Sequence, residues 1–562
     1  MSGVTPAMGL DAILAELGAF GKYNVINYTI LLLPVLLAGM FGSVYIFEAP
    51  DINYRCRIDE CENLYNDSKW LEYAIPKKDG SFMKCRKYPS LNSHLDNIDN
   101  ATCLAKDFDT TKLTDCSSYV YSDEDSAVKD FDLGCEQLKR TLVGSMHNAG
   151  FFVALPLTGF ISDRYGRKLA LAISSLFNGI FGILRSFSVN YVMFVSFEFL
   201  ETAFGAGAYT TAFVLAMELV GPKGRVFGNT LINIVYVCGA VTMAGLAWQL
   251  QNWRHLLRVI YTPAIFIVSY IWILNESVRW LLSKGRQHEA VAILKKAAKI
   301  NKVNIAPELF SPLYELNNVS PNHNNEKDKL NEPVEAAKPK ETATFANVIK
   351  SRIIRTRLFV CSFLWITCTL VYYGLSINSV SLAGNQYVNF MLVVLVEIPG
   401  NIVCLVVLDR FGRKKPLIIT YVLSALLCIS LSAIPPGGWS LTVYLLGKFN
   451  ITVAYSSVYI YVSEVFPTSV RQSLLAVCST TGRIGSTLAP ITPLLVSISS
   501  CQVLQAVASD ILRQHGAGCC CSCVHFTRNH QRPTSRHCRR SRATLEKRTG
   551  ETERSSLKRR RS

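Results

Sequence analysis

Charge is scarce in this chain. Only 18% of its 562 residues are Asp, Glu, Lys or Arg, against 50% that are hydrophobic, a balance that excludes an ordinary soluble protein of this length and points to the membrane. Motifs of chemistry are missing as well. There is no Gly-x-x-x-x-Gly-Lys-Ser/Thr loop for a nucleotide, no metal-ligand array and no nucleophile elbow, so nothing reads as an enzyme and no cofactor or metal is expected. A cleavable signal peptide is not expected either, because the first apolar run is too long and Asp11, Glu16 and Lys22 precede it.

What is present is apolar sequence in long blocks. Eleven runs approach the ~20 residues that a membrane-crossing helix needs: 24–47, 141–161, 169–187, 191–219, 226–250, 257–274, 358–380, 387–408, 416–434, 439–462 and 473–498. Each must be helical, since backbone groups facing lipid have no other partners. The expected fold class is therefore an all-α polytopic membrane protein. Placing the amino terminus inside puts Arg164, Arg167, Lys168, Lys223, Arg225, Arg410, Arg413 to Lys415, Arg471 and the basic 275–357 region in the cytoplasm. Segments 381–386 and 435–438, on the other side, hold no Lys or Arg, in accord with the positive-inside rule.

Domain boundaries follow. Residues 1–23 form a cytoplasmic segment whose 9–22 stretch has helical apolar spacing and is expected along the membrane surface. Residues 24–274 make a first bundle of six spans, with 48–140 as a long extracellular loop. Residues 275–357 make a cytoplasmic linker with an amphipathic helix over 289–300 and a flexible part over 317–342, and 358–498 make a second bundle of five spans. The loop holds Cys56, Cys61, Cys85, Cys103, Cys116 and Cys135 beside the sequons at Asn66 and Asn100, the pattern of a disulfide-bonded, glycosylated region whose pairing stays open.

The two bundles are related by a parallel repeat. Asp163-Arg164-Tyr-Gly166-Arg167-Lys168 returns as Asp409-Arg410-Phe-Gly412-Arg413-Lys414, Asp163 to Asp409 and Arg167 to Arg413 both being 246 residues apart; Glu218 and Arg225 return as Glu464 and Arg471 at the same offset. Duplicated halves of this kind belong to carriers that rock one bundle against the other. The loops suit a gate: Asp163 can meet a helix amino terminus and an Arg, Gly166 permits the tight turn, and Arg167 can bind a Glu such as Glu218 or lipid phosphate. Plain topogenic charge would explain the basic residues but not the Gly, the Asp or the repetition.

On these motifs the chain resembles the organic ion transporter family of the major facilitator superfamily over about residues 9–498. The Cys-rich loop after the first span, Glu276-Ser-x-Arg279-Trp280-Leu-Leu, Val396-Glu397-Ile-Pro399-Gly400 and Glu464-Val-Phe-Pro467-Thr-x-x-Arg471 complete the likeness. The resemblance implies a major facilitator fold of two six-helix bundles, here with the twelfth span missing. It also implies uptake or exchange of small organic ions across the plasma membrane. Where the family's cation carriers have an Asp, its carnitine-type and anion carriers resemble this chain in having an Arg, here Arg483; Ser456 replaces a Glu, and Lys448 keeps a basic residue.

Ionisable groups inside spans are costly and mark function. Arg483 for a carboxylate, with Glu397 or a cation–π wall of Trp365, Tyr372 and Tyr373 for an ammonium, would make a zwitterion site, with Lys448 and Ser456 beside it. The alternative is a structural pairing of Arg483 with Glu397 or with helix ends, and rings that merely pack. Glu198 and Glu201, one turn apart, are candidates for a coupling proton or Na+, His147 and Asn148 for helix–helix hydrogen bonds, and Gly205 and Gly207 for close helix packing. The expected partners are a small organic ion and the bilayer, with no nucleic acid; an organic anion carrier, a channel or receptor, and a non-transporting product stand as rivals. The net charge of +17 is misleading, since 501–562 alone contribute +10. This Cys- and Arg-rich tail, 499–562, reads as an out-of-frame end in place of the last span.

Overall fold

A computed structural model gives the fold over residues 6–18, 21–59, 61–62, 70–78, 81–91, 103–122, 125–220, 224–310, 313, 351–435, 437–466 and 471–492. Asn66, Asn100, the 317–342 stretch and the tail lie outside the described residues, as does whatever follows residue 492.

Each of the eleven apolar runs is helical over its described residues. The first span is Lys22–Phe41, extended by a turn at Tyr45–Glu48; the second is Gln137–Tyr165 and the third Arg167–Arg185. Tyr191–Gly205 and Gly207–Leu219 form the fourth, Arg225–Leu250 the fifth, and Trp253–Phe266 the sixth, which continues through short turns to Ile273. In the second half the spans are Arg352–Ile377, Gln386–Leu395 with Glu397–Phe411, Lys414–Ser430, Gly438–Val465 and Arg471–Leu488. Six of the eleven, the first, third and fifth to eighth, are long and apolar enough among the described residues to cross a membrane. The others fall short for physical reasons. The ninth is 17 residues long, and the second, fourth, tenth and eleventh carry buried polar groups such as His147, Glu198, Lys448 and Ser486.

The repeat extends into helix packing. Gly239 in the fifth span lies against the Leu36 carbonyl of the first, and Gly485 in the eleventh lies against the Ile366 carbonyl of the seventh; a methyl group at either position would collide with that oxygen. The two glycines are 246 residues apart, so the same helix pair is drawn together in each half. Gly205 and Gly207 work similarly where the fourth span bends, against Asn178 and Thr158. Two apolar cores result, one filling the first bundle and reaching Phe390 and Val394 of the eighth span, the other within the second bundle.

The outer loop is built from three two-stranded antiparallel pairs, Tyr54–Cys56 with Tyr119–Tyr121, Lys77–Lys78 with Ser81–Phe82, and Arg86–Lys87 with Thr114–Asp115. The six cysteines pair as Cys56–Cys116, Cys61–Cys103 and Cys85–Cys135. So small a region has little apolar core, and cross-links limit its unfolded freedom. Asp130 anchors it by accepting hydrogen bonds from Trp253 Nε1 and Arg254 Nε, both at 3.0 Å.

On the cytoplasmic side the amino-terminal helix Pro6–Glu16 corrects the sequence expectation. Its apolar residues Leu10, Ile13 and Leu14, with Leu17 just beyond, pack on Val291, Leu294 and Ala297 of the linker helix Gln287–Asn301, so protein and not lipid covers that face. Asn301 fastens the arrangement, accepting from the Tyr23 amide at 2.7 Å and donating to the Leu17 carbonyl at 3.0 Å.

Candidate substrate site in the central cavity

Between the bundles lies a cavity of about 680 Å³, the size of a small-molecule site. Its outer end is shut by rings from both halves: Phe47 stacks on Tyr387 at 5.3 Å and meets Phe390 edge-on at 5.2 Å, and Trp248 stacks on Tyr387 at 6.0 Å. The lining continues toward the cytoplasmic ends of the spans, through Asn229, Thr230, Leu405, Ile460 and Ser479. The cavity thus extends from beneath these rings toward the ends of the spans that carry the gate loops.

One wall is aromatic. Trp365 meets Tyr459 edge-on at 4.3 Å and Tyr455 at 5.8 Å, while Tyr372 stacks on Tyr455 at 4.9 Å and meets Tyr373 edge-on at 5.3 Å. The seventh and tenth spans supply these rings, all of which line the cavity. The indole Nε1 of Trp365 is buried with no hydrogen-bond partner among the described residues.

The charges are sorted by their partners. Glu397, at the break in the eighth span, bonds Lys448 at 2.8 Å, and Lys448 also donates to Ser376 Oγ at 2.7 Å and to the Tyr372 carbonyl at 3.3 Å. Its ammonium lies 3.3 Å from the centre of the Tyr372 ring. Lys448 is wholly buried and does not line the cavity, which corrects its expected place at the substrate. A buried ammonium needs a fixed counter-charge, and Glu397 supplies it. The alternative pairing of Arg483 with Glu397 is therefore not made. Arg483 lines the cavity, donates to Tyr373 Oη at 3.4 Å and lies 4.3 Å from the centre of the Phe151 ring, and it forms no ion pair among the described residues. Ser456 lines the cavity and donates to Asn401 Oδ1 at 2.7 Å.

A second charged group fills the outer part of the first bundle. Arg185 is bonded to Glu198, to Glu48 at 2.8 Å and to Tyr261 Oη at 3.1 Å, with Glu201 at 3.9 Å. His147 Nδ1 lies 2.7 Å from Glu198, 3.8 Å from Glu201 and 3.0 Å from Thr202 Oγ1. His147 is thus the helix–helix partner it was expected to be, and so is Asn148, which bonds the Tyr45 side chain of the first span besides donating within its own helix to Gly144. Donor atoms of His147, Glu198 and Glu201 fall within 4.8 Å of one another, but Arg185 stands beside both carboxylates where a metal ion would go. Sequence reasoning missed Arg185 and Glu48, which close apolar runs and look like ends at the interface. The signal that could have found Arg185 is its place on the Asn178, Gly182, Arg185 face at helical spacing, every member of which is buried.

The gate loops are where the repeat placed them. Gly166 has φ 108° and Gly412 φ 75°, the left-handed region in which glycine costs least. Arg167 pairs with Asp163 at 3.0 Å and Glu218 at 3.5 Å, and Arg413 pairs with Glu464 at 3.0 Å. Each Arg also donates to the carbonyl five residues earlier, Ser162 at 3.0 Å and Leu408 at 2.9 Å. In the first loop Glu276 accepts from the amides of Arg167 and Lys168, at 3.0 and 3.2 Å, capping the third span. Arg164 and Arg410 lie over the neighbouring rings of Tyr165 and Phe411. Arg225 is exposed and forms no ion pair among the described residues, and the side chains of Asp409 and Arg471 lie outside them.

Comparisons with known proteins agree with this architecture. Residues 105–501 match the family model described as sugar (and other) transporter. An organic cation transporter protein of Drosophila melanogaster is 32% identical over 515 residues, 87% of this chain and 88% of the relative. The human organic cation/carnitine transporter 2 is 29% identical over 500 residues, 85% of each chain. Among solved structures, the inward-open xylose transporter XylE from E. coli superposes with a TM-score of 0.54 at 14% identity, covering 86% of this chain and 94% of that one. That likeness establishes the fold: two bundles in major facilitator arrangement. The family matches are to membrane transporters, not to enzymes.

Proposed function

We propose that this chain, which belongs to the sugar (and other) transporter family and within it to the organic cation and carnitine transporters, carries small amine-bearing zwitterions across the plasma membrane by alternating access. The observation that carries the proposal is Arg483. It is a cation in the cavity with no carboxylate partner among the described residues, facing a wall of rings. A substrate carboxylate would complete the guanidinium, a charge-assisted contact that gains in a site with little water. The substrate's ammonium would lie against Trp365, Tyr372 and Tyr373 as a cation–π partner. Glu397 contributes field only, because Lys448 neutralises it.

Transport needs two shapes of one molecule. In the inward-facing shape the aromatic closure over Tyr387 is made; in the outward-facing shape it must part while the cytoplasmic gate loops close. The pairs Arg167–Glu218 and Arg413–Glu464 each lie within one bundle and brace a gate loop as the bundle turns.

The test is uptake of carnitine, of a quaternary ammonium without a carboxylate, and of a dicarboxylate, by the full chain and by Arg483→Ala. Loss of carnitine uptake by about tenfold to a hundredfold is expected, the equivalent of one charged hydrogen bond, with the quaternary ammonium retained. Unchanged carnitine uptake would remove the zwitterion reading. Preference for the dicarboxylate would favour an organic anion carrier, which the spare positive charge of Arg483 also supports.

A further inference from the structure

The charged cluster of the first bundle supplies none of the groups assigned above to the substrate, yet it is the most deeply buried ionic group among the described residues. Glu48, Arg185 and Glu198 are 0% exposed, Glu201 2% and His147 4%. Its charges do not balance: three carboxylates face one guanidinium. The other groups packed around it are Tyr45 from the first span, whose ring lies 4.8 Å from that of His147, Thr202 from the fourth, Tyr261 from the sixth and, across the cavity, Arg483 from the eleventh. None of these neutralises a second carboxylate by direct contact. One oxygen of Glu48, Oε2, is buried with no hydrogen-bond partner among the described residues, as is Arg185 Nε. Uncompensated charge in such a place is strongly disfavoured.

We infer that the cluster of Glu48, Arg185, Glu198, Glu201 and His147 is a proton-binding site that exchanges with the central cavity, so that the carrier couples proton movement to its substrate. The inference rests on the carrier reading above and adds the ion and its site. Access is built in: His147 and Glu201 line the cavity, while Glu198 does not. A proton from cavity water binds Glu201 or His147 and passes to Glu198, since His147 Nδ1 lies 2.7 Å from Glu198 and Thr202 Oγ1 lies 3.0 Å from His147 and 3.3 Å from Glu201. Each proton bound removes one unit of the excess negative charge, and its release restores it. No redox or covalent step is involved. Four spans meet at the cluster, so its charge state bears directly on their packing and hence on which way the bundle faces.

Two measurements on the full chain test this. In purified protein, infrared difference spectra between neutral and alkaline pH are expected to contain the carbonyl stretch of a buried protonated carboxyl group that is lost in Glu198→Gln, with thermal unfolding confirming that the variant is folded; Glu198→Asp restores the band. In vesicles, an inward proton gradient drives accumulation of labelled carnitine by the wild type, whereas Glu198→Gln retains counter-flow exchange and loses the gradient-driven part. Absence of the band in the wild type, its persistence in folded Glu198→Gln, or accumulation that follows a sodium gradient alone would overturn the proposal. If carnitine is not exchanged at all, the substrate reading fails, and the infrared band by itself decides for or against the proton site.

Discussion

The two bundles are copies in their gates and strangers in their interiors. At the cytoplasmic face, Arg167 and Arg413 make the same carbonyl bond five residues back and the same ion pair 51 residues on. In the middle of the membrane the correspondence ends. Counting back 246 residues, Glu397 falls on Phe151, Lys448 on Thr202 and Arg483 on Val237. The first bundle concentrates excess negative charge around Arg185, whereas the second pairs Glu397 with Lys448 and leaves Arg483 unpaired. The two halves thus agree where the gate loops lie and differ where the cavity lies. A gate loop works by backbone geometry and one ion pair, so both copies face the same constraint. A cavity needs chemistry from only one side at each point.

The sharpest way to break the first bundle is Arg185→Met. Three buried carboxylates then lose their only guanidinium, and a loss of about 5 kcal/mol, the upper end for an orphaned buried charge, is expected. Size-exclusion profiles and surface expression should register a chain that fails to fold, and adding Glu48→Gln should recover part of it. In the second bundle Glu397→Gln should cost about 3 kcal/mol, less because Lys448 keeps its bonds to Ser376 and Tyr372. The double variant Glu397→Gln with Lys448→Met should unfold at a temperature near that of the wild type, and failure of this rescue would deny that the pair is self-contained.

A smaller contrast separates the gates. Side chains of the Arg413–Glu464 pair are 37% and 51% exposed, against 15% and 18% for Arg167–Glu218. Arg413→Ala should therefore cost only about 0.2–1 kcal/mol, and Arg167→Ala more, in thermal unfolding and in transport rate. Equal losses would mean that exposure does not rank the two gates. The smallest effect concerns the outer loop. Burial raises the affinity of Glu62 for a proton, but the hydrogen bonds and charge of Arg55 outweigh it and hold the carboxyl below its ordinary range. A lowered folded value means that its stabilisation is complete above the ordinary carboxylate pKa and disappears as pH falls through the lowered one. Acid should thus speed proteolysis of the loop in the wild type, and Glu62→Gln should flatten that dependence.

Much of this was legible in the residues. The gate pairs could be foreseen because the repeat marks Arg167 and Glu218 twice over, and Arg483 because a charge inside an apolar run has few innocent explanations. Lys448 was misplaced for a reason that applies widely. Composition puts a Lys inside a span but does not say which side of the helix it takes, and here it turns behind Tyr372 to Glu397 and away from the cavity. Arg185 and Glu48 end their helices, where snorkelling is the ordinary reading of a charge.

By itself the sequence determined that this is a membrane chain of repeated halves with a disulfide-bonded outer loop, and that it resembles organic ion carriers. Those properties are carried by run length, spacing and local motifs, which survive without a third dimension. The tertiary structure alone decided which charges neutralise one another and where the cavity lies. Glu397 and Lys448 are 51 residues apart and Glu48 and Arg185 are 137 apart, and no local pattern ties residues so distant. Only the packing of helices brings them within reach, and in a medium without water that reach settles whether a charge holds the fold or waits for a ligand.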